Sequence, residues 1–392
     1  MGEDLEHKCG VAFIRLLKPY SYYKEKYDDE YLLLNLMYLL LLRQRNRGQD
    51  AAGIGTCYIP YTERLDQEYM FKDKMISKDP VQDLYDSLME IHNSRGRIAD
   101  ERKRNVMIGH TLYPTFLRKA DYKFVHPIEE RSGWPTKRLM IAMNGNFANN
   151  REQREFLRSI GQWPTATSDM ATLIEKMGYY LNEEHDGHYR QGKSTELISR
   201  DLDISNVMRR VNEKVRGAFS IVGIVGNGDA FFARDPNGIR PLHYFVNDEF
   251  IVAASEVSAI ASTFAQFGIK MEDIKEMEPG HMMVVKNFGA AEIRRFADDT
   301  SNRPCQFESV YFKRPNNPRV YDARKELGKF LAPVVKSAVV DISNAIISYV
   351  PNTSESAAIG LFQELIDLQD TDCVEAILQL ADKGKLTREN VG

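Results

Sequence analysis

The stretch Cys9-Gly10-Val11-Ala12-Phe13-Ile14-Arg15-Leu16 (CGVAFIRL) sets the reading of this chain. Its apolar run, residues 11–16, is short and carries β-branched Val and Ile, which suits a strand better than a helix. Cys9 then stands at the start of that strand. Alone, such a cysteine also reads as a small core residue, because unpaired cysteines are commonly buried. Downstream, the acidic Asp28-Asp29-Glu30 precedes a leucine-rich run over residues 31–42, and carboxylates there complement the dipole of a helix start. Asn35 interrupts that run, which falls short of the ~18–20 apolar residues a bilayer span needs, so a buried helix is expected.

Further strand character lies in residues 106–112, 139–143, 218–225, 230–233 and 250–254. Tight hairpins are predicted at Gly226-Asn227-Gly228 and over 286–289, where Gly and Asn tolerate positive φ. Helices are predicted over 152–160, 170–181 (with Ser168 as N-cap) and 205–215. Hairpins mixed with helices give an α+β class. Residues 94–104 and 183–188 read as solvated surface loops.

The 392 residues suit two to three domains, and 43% hydrophobic content supports a sizeable core. With 52 basic and 56 acidic residues, a net charge of −4, no global field attracts a phosphate backbone. No nucleic-acid partner and no membrane is therefore expected. Cys9, Cys57, Cys305 and Cys373 are too far apart in sequence to form a CxxC metal or redox pair, so no metal site is drawn. The first residues, MGEDLEHK, lack the apolar stretch of a targeting signal, which makes the cytoplasm the expected compartment.

After residue 300 the character changes. Arg314-Pro315-Asn316-Asn317-Pro318 is a turn region, followed by an amphipathic segment over 321–335 that reads as a connector. A strand over 345–350, a polar turn at Pro351-Asn352-Thr353-Ser354 and a helix after it are expected to open a parallel α/β domain.

Several short signals stand in a particular order. They are Cys9-Gly10-Val11, Arg47 to Gly53 (RGQDAAG), Gly109-His110 with Tyr113-Pro114-Thr115, Asn144-Gly145-Asn146, Ser168-Asp169, Arg234 to Leu242 (RDPNGIRPL), Ala254-Ser255-Glu256 and Pro279-Gly280. Singly, Asn144-Gly145-Asn146 reads as a turn and Ser168-Asp169 as a helix cap. In this order, with Tyr311-Phe312, Arg314-Pro315, Ala323-Arg324 and Leu327-Gly328, they resemble the N-terminal part of the glutamine phosphoribosylpyrophosphate amidotransferase family. The resemblance spans about residues 9–360 and implies a four-layer αββα N-terminal-nucleophile fold over 9–300. A connector over 301–335 and the incomplete start of an α/β phosphoribosyltransferase-like domain over 336–392 would follow.

The same resemblance implies a class II glutamine amidotransferase whose nucleophile is Cys9, once Cys9 is the first residue of the mature chain. Asn144 (side chain) and Gly145 (backbone N–H) would form the oxyanion hole, Arg47 would orient the nucleophile, and Asp169 would pair with the α-ammonium of glutamine. Residues 234–242 read as scaffold. In a complete family member ammonia passes to phosphoribosyl pyrophosphate; Mg²⁺ is expected only with a complete transferase domain, and no cofactor in this chain. A 4Fe–4S cluster occurs in part of the family, with one ligand where Cys305 stands. A homo-oligomer is compatible with the resemblance.

Two departures from the family pattern stand out. Leu112 occupies the place of an arginine that would hold the substrate carboxylate, and Arg118 is the candidate substitute. Eight residues precede Cys9. Two other readings fit the same residues: a related amidotransferase of the same fold serving another acceptor, and a degenerate scaffold or regulatory subunit that has lost glutamine binding.

Overall fold

The computed structural model describes residues 8–58, 68–95, 104–113, 122–164, 166–287, 291–351 and 353–383. The chain divides into two compact units, one up to residue 305 and one from 306. The first runs through β1 (Lys8–Leu16), α1 (Tyr20–Tyr27), α2 (Leu32–Leu42), β2 (Ala51–Cys57), β3 (Met70–Ile76), α3 (Pro80–Arg95), β4 (Val106–Tyr113), β5 (Ile128–Glu130) and β6 (Leu139–Phe147). It continues with α4 (Asn150–Ser159), α5 (Asp169–Arg190), α6 (Thr195–Asp201), α7 (Ile204–Asn212), β7 (Gly217–Val225), β8 (Ala230–Arg234), β9 (His243–Val246) and β10 (Phe250–Ala254). The helix α8 (Val257–Phe264) and strands β11 (Lys275–Glu276), β12 (His281–Val285) and β13 (Ala291–Arg295) complete it.

Among the described residues the strands form two antiparallel sheets, ordered β11-β9-β10-β1-β4-β2-β3 and β13-β12-β8-β7-β6-β5. Alternation along each strand separates three apolar layers. Ala12, Ile14, Met107 and Val252 of the first sheet pack against α2 and α8 through Met37, Leu41 and Ile260. Ile141, Met143, Ile221 and Phe231 of the second pack against α5 and α7 through Leu173, Met177 and Val207. Between the sheets lie Val11, Phe13, Ile108, Met140, Ala142, Val222, Phe232 and Ile251. The result is the αββα sandwich expected from the sequence.

Four local expectations change. Asn144-Gly145-Asn146 is not a turn but lies inside β6, where pairing with Ser220, Phe219 and Ala218 of β7 keeps the backbone extended. Residues 183–188 are not a loop; α5 runs on to Arg190 because His185 is buried, its ring bonded at 2.7 Å to the Thr136 hydroxyl. Ser94 and Arg95 close α3, Arg104 is buried with its guanidinium over the Phe71 ring, and 96–103 lie outside the described residues. Ala345 to Val350 carries no strand, and Ile346 and Val350 are exposed. A strand needs a hydrogen-bonding partner, and the described residues from 306 onward contain none.

The unit from 306 has a short π-helical turn (Glu308–Phe312) and two helices, α9 (Pro318–Ala338) and α10 (Glu355–Asp382), packed on each other. Gly328 and Gly360 make that packing possible. A Cβ at Gly328 would lie 1.8 Å from the Ala357 carbonyl oxygen, and one at Gly360 would lie 2.0 Å from that of Lys325. Only hydrogen fits where the two helix backbones touch.

Candidate active site

Cys9 lies in β1, on the row that continues through Val11 and Phe13 into the layer between the sheets. It is 3% exposed. Burial pushes its thiol up to about 11, against the lowering effects of the Tyr113 backbone N–H and the Arg240 and Arg47 guanidiniums. The strand is held by Ser255: its hydroxyl accepts from the Val11 N–H at 3.1 Å, and its own N–H donates to the Val11 carbonyl. Leu112 is directly opposite Cys9 in the β1–β4 register, so the two side chains share one face of the sheet.

Arg47 follows α2 in a single 3₁₀ turn and is 1% exposed. Its Nε donates to Glu256 Oε1 at 2.7 Å, and Asn46 Nδ2 donates to the same oxygen at 3.2 Å. Glu256, the residue just before α8, is itself buried. Sequence reasoning gave Glu256 no role, although a buried arginine almost requires a carboxylate nearby. Gly48 lets this turn lie on β4: a Cβ there would meet the Leu112 nitrogen at 2.6 Å.

In β6, Asn144 continues the inward row of Met140 and Ala142. It is fully buried, and neither Nδ2 nor Oδ1 has a hydrogen-bond partner among the described residues. Leaving such polar atoms unmet costs about 1–3 kcal/mol each, so a folded chain rarely keeps them without use.

The backbone of β6 carries a second feature. Strand β5 pairs with it only through Leu139–Ile141, so among the described residues one edge beyond that point has no strand beside it. On this edge the Met143 N–H donates to His126 Nδ1 at 3.2 Å and the Phe147 N–H donates to Asp169 Oδ2 at 2.9 Å. Backbone N–H groups alternate between edges with period two, so the Gly145 N–H points to the same open edge, between those two. The opposite edge confirms the phase, because the Ala148 N–H donates to Arg216 on the β7 side. Asp169 opens α5 behind the Ser168 cap, whose hydroxyl accepts from the Ala171 N–H.

Cys9, Arg47, Asn144, Gly145 and Asp169 therefore gather around one end of the two sheets. Arg118, Pro114 and Thr115 lie outside the described residues. Sequence reasoning named Gly109-His110 but gave His110 no role; it stands opposite Val11, fully buried, with its ring 4.2 Å from that of His126. Burial, with His126 and Lys74 nearby, holds its pKa well below the usual imidazole range, so it is neutral. A 4Fe–4S cluster takes four thiolates, and among the described residues no group of His, Cys, Asp or Glu is placed to hold a metal around Cys305. The described residues also hold no helix long and apolar enough to cross a membrane.

Comparison with known proteins adds an independent finding. Residues 130–262 match the family model described as a glutamine amidotransferase domain. The amidophosphoribosyltransferase of Pasteurella multocida is 27% identical over 336 residues, covering 84% of this chain and 60% of that protein. The Bacillus subtilis amidophosphoribosyltransferase is 30% identical over 260 residues, covering 64% and 47%. The chain thus spans about half to three fifths of the length of these curated relatives. Among solved structures, one described as the allosteric regulatory enzyme of purine biosynthesis superposes with a TM-score of 0.63 at 25% identity, covering 91% of this chain and 63% of its own. The Bacillus subtilis glutamine phosphoribosylpyrophosphate amidotransferase gives 0.61 at 24% identity, covering 91% and 64%, a likeness of fold.

Proposed function

We propose, from the premise that this chain belongs to the glutamine phosphoribosylpyrophosphate amidotransferase family through its N-terminal glutamine amidotransferase portion, that residues 9–300 release ammonia from glutamine. The observation that carries the reading is the open edge of β6. There the Gly145 N–H is aimed outward beside the Asn144 amide, which has no partner among the described residues, on the strand that packs across from Cys9. An oxyanion hole needs such donors, fixed before charge develops. The Cys9 sulfur would attack the side-chain amide carbon of glutamine. The C–N bond of the tetrahedral adduct breaks as nitrogen takes a proton, ammonia leaves, and water cleaves the thioester to glutamate and free thiol.

A base is needed because the buried thiol is held at about 11. With Lys8 attached, the Cys9 nitrogen is a peptide amide and cannot serve. Removal of residues 1–8 would place an α-amine of pKa ~7.7–8 beside the sulfur. Transfer of ammonia to phosphoribosyl pyrophosphate, a cytoplasmic step of purine biosynthesis, would also need a phosphoribosyltransferase domain. The test is ammonia release from glutamine by protein whose intact mass shows that residues 1–8 are gone. Absence of turnover in that material would establish the scaffold reading, which Leu112 favours.

The same assay reads Leu112. A guanidinium–carboxylate contact contributes ~1.5–3 kcal/mol, one to two decades of affinity. Leu112→Arg is expected to lower KM for glutamine by about tenfold or more and leave a carboxyl-blocked analogue unaffected. If Arg118 already holds the carboxylate, Leu112→Arg changes little and Arg118→Ala raises KM instead. An unchanged KM in both variants means that the carboxylate sits elsewhere.

A further inference from the structure

The loop over residues 234–242 has no task in the reaction as described, yet it is tied down at nearly every residue. Arg234 binds back to the loop, with Nε on the Arg240 carbonyl at 2.8 Å and Nη2 on that of Gly238 at 2.8 Å; its Nη1 reaches the Met277 carbonyl at 2.7 Å. The buried Asp235 carboxylate accepts from the backbone N–H groups of Asn237, Ile239 and Arg240 at 3.0–3.1 Å. Gly238 turns the chain with φ +60. Ser220 donates to the Pro241 carbonyl at 3.0 Å, and Ser220 is the residue directly opposite Asn144 in the β6–β7 register. Arg240 is thus fixed at its N–H, at its carbonyl and at the next residue. Arg240 is only 8% exposed, and its guanidinium donates to Asn146 Oδ1 at 3.2 Å.

Asn146 stands two residues beyond Asn144, so both amides project from one face of β6. We propose that Arg240 is a positioning residue for the Cys9 reaction, its guanidinium fixing the Asn146 amide beside Asn144 on the face of β6 that packs across from β1. This rests on the glutaminase reading of Cys9.

Among the described residues, the groups around Cys9 come from the following neighbouring elements. Arg47 comes from the turn after α2 and is answered by Glu256 at 2.7 Å; neutral His110 and the Tyr113 N–H come from β4; Asn144 and Asn146 come from β6; Asp235 lies behind Arg240 in the loop. The Arg47–Glu256 pair is a dipole, whose field fades faster with distance than that of a single charge. Both guanidiniums lower the Cys9 thiol, Arg240 ahead of Arg47, so loss of the Arg240 charge is expected to disfavour the thiolate. Sequence reasoning saw the RDPNGIRPL pattern but not this role, since the fold brings residue 240 back to residue 146.

The experiment compares wild type, Arg240→Gln, Arg240→Lys and Asn146→Ala, each as protein whose intact mass shows that residues 1–8 are gone. The rate of Cys9 alkylation by iodoacetamide is followed by peptide mass across a pH series, with glutamine turnover and a thermal melt measured on the same samples. Arg240→Gln should move the alkylation profile up by about one pH unit, slowing Cys9 labelling about tenfold below the midpoint. Arg240→Lys should keep the wild-type profile while lowering kcat, because charge remains and the planar fork is lost. Asn146→Ala should behave likewise. Should Arg240→Gln fail to fold, the Lys and Asn146 variants still decide. One common profile for wild type and Arg240→Gln, or an Arg240→Lys profile displaced from wild type, overturns the proposal. Wild-type Cys9 labelling that follows Arg240 without any glutamine turnover supports Arg240 and sinks the glutaminase reading.

Discussion

Cys9→Ala is expected to abolish glutamine hydrolysis, a loss of about 10⁴-fold or more, since no other group can carry the acyl intermediate. A diazo-ketone analogue of glutamine should label wild type once, at Cys9, and not label the variant at all. The environments of the four thiols give the reason. Cys57 is as buried as Cys9, and burial pushes it up to about 12, with no open strand edge beside it. Cys305 is half-buried and Cys373 exposed on α10, and neither lies in the layer between the sheets.

The pH dependence has a definite sign. The folded chain holds the Cys9 thiol above its ordinary value of 9.0, at about 11, so the reactive thiolate is scarce at neutral pH and labelling of protein that retains Lys8 should rise steadily toward alkaline pH. Once an α-amine replaces that peptide bond, labelling should instead level off above pH ~8. Labelling spread across all four cysteines, or equal with and without residues 1–8, would falsify the nucleophile assignment.

Much of this was legible in the sequence, for identifiable reasons. Residues 11–16, 106–112 and 218–225 are apolar runs bounded by polar or turn residues, and buried strands are written that way. Residue order carried the resemblance, and the αββα layering followed from it. What could not be read was pairing at a distance. Glu256 meets Arg47 across more than two hundred residues, and Arg240 meets Asn146 across ninety-four. Neither contact has a local signature. The reading of Asn144-Gly145-Asn146 as a turn failed because Asn and Gly favour turns intrinsically, whereas the β7 partner imposed extended backbone on them. The strand expected over 345–350 failed for the converse reason. Its pattern was right, but a strand exists only where another chain segment completes its hydrogen bonds.

Asn144→Ala and Asp169→Ala should fail in different ways. Asn144 offers a buried amide with no partner among the described residues, so on the proposed function its hydrogen bond is available for the charge that develops on the substrate oxygen. Removing one such donor lowers kcat by about 10²–10³-fold with little change in KM. It should also relieve the cost of burying unmet polar atoms, so the variant should be at least as thermally stable as wild type. Asp169 behaves differently because its Oδ2 already accepts the Phe147 N–H at 2.9 Å. On the proposed function its loss removes a ground-state partner for the substrate ammonium, and it also frees the end of β6, two residues beyond Gly145. KM should therefore rise by a decade or more, and the melting temperature should fall. Asp169→Asn separates these effects: an amide oxygen can still accept from Phe147, which should restore stability, while the lost charge leaves KM high. Equal KM defects with intact kcat in the Asn144 and Asp169 alanine variants would show that the open edge of β6 binds the amino-acid end of the substrate rather than the oxyanion.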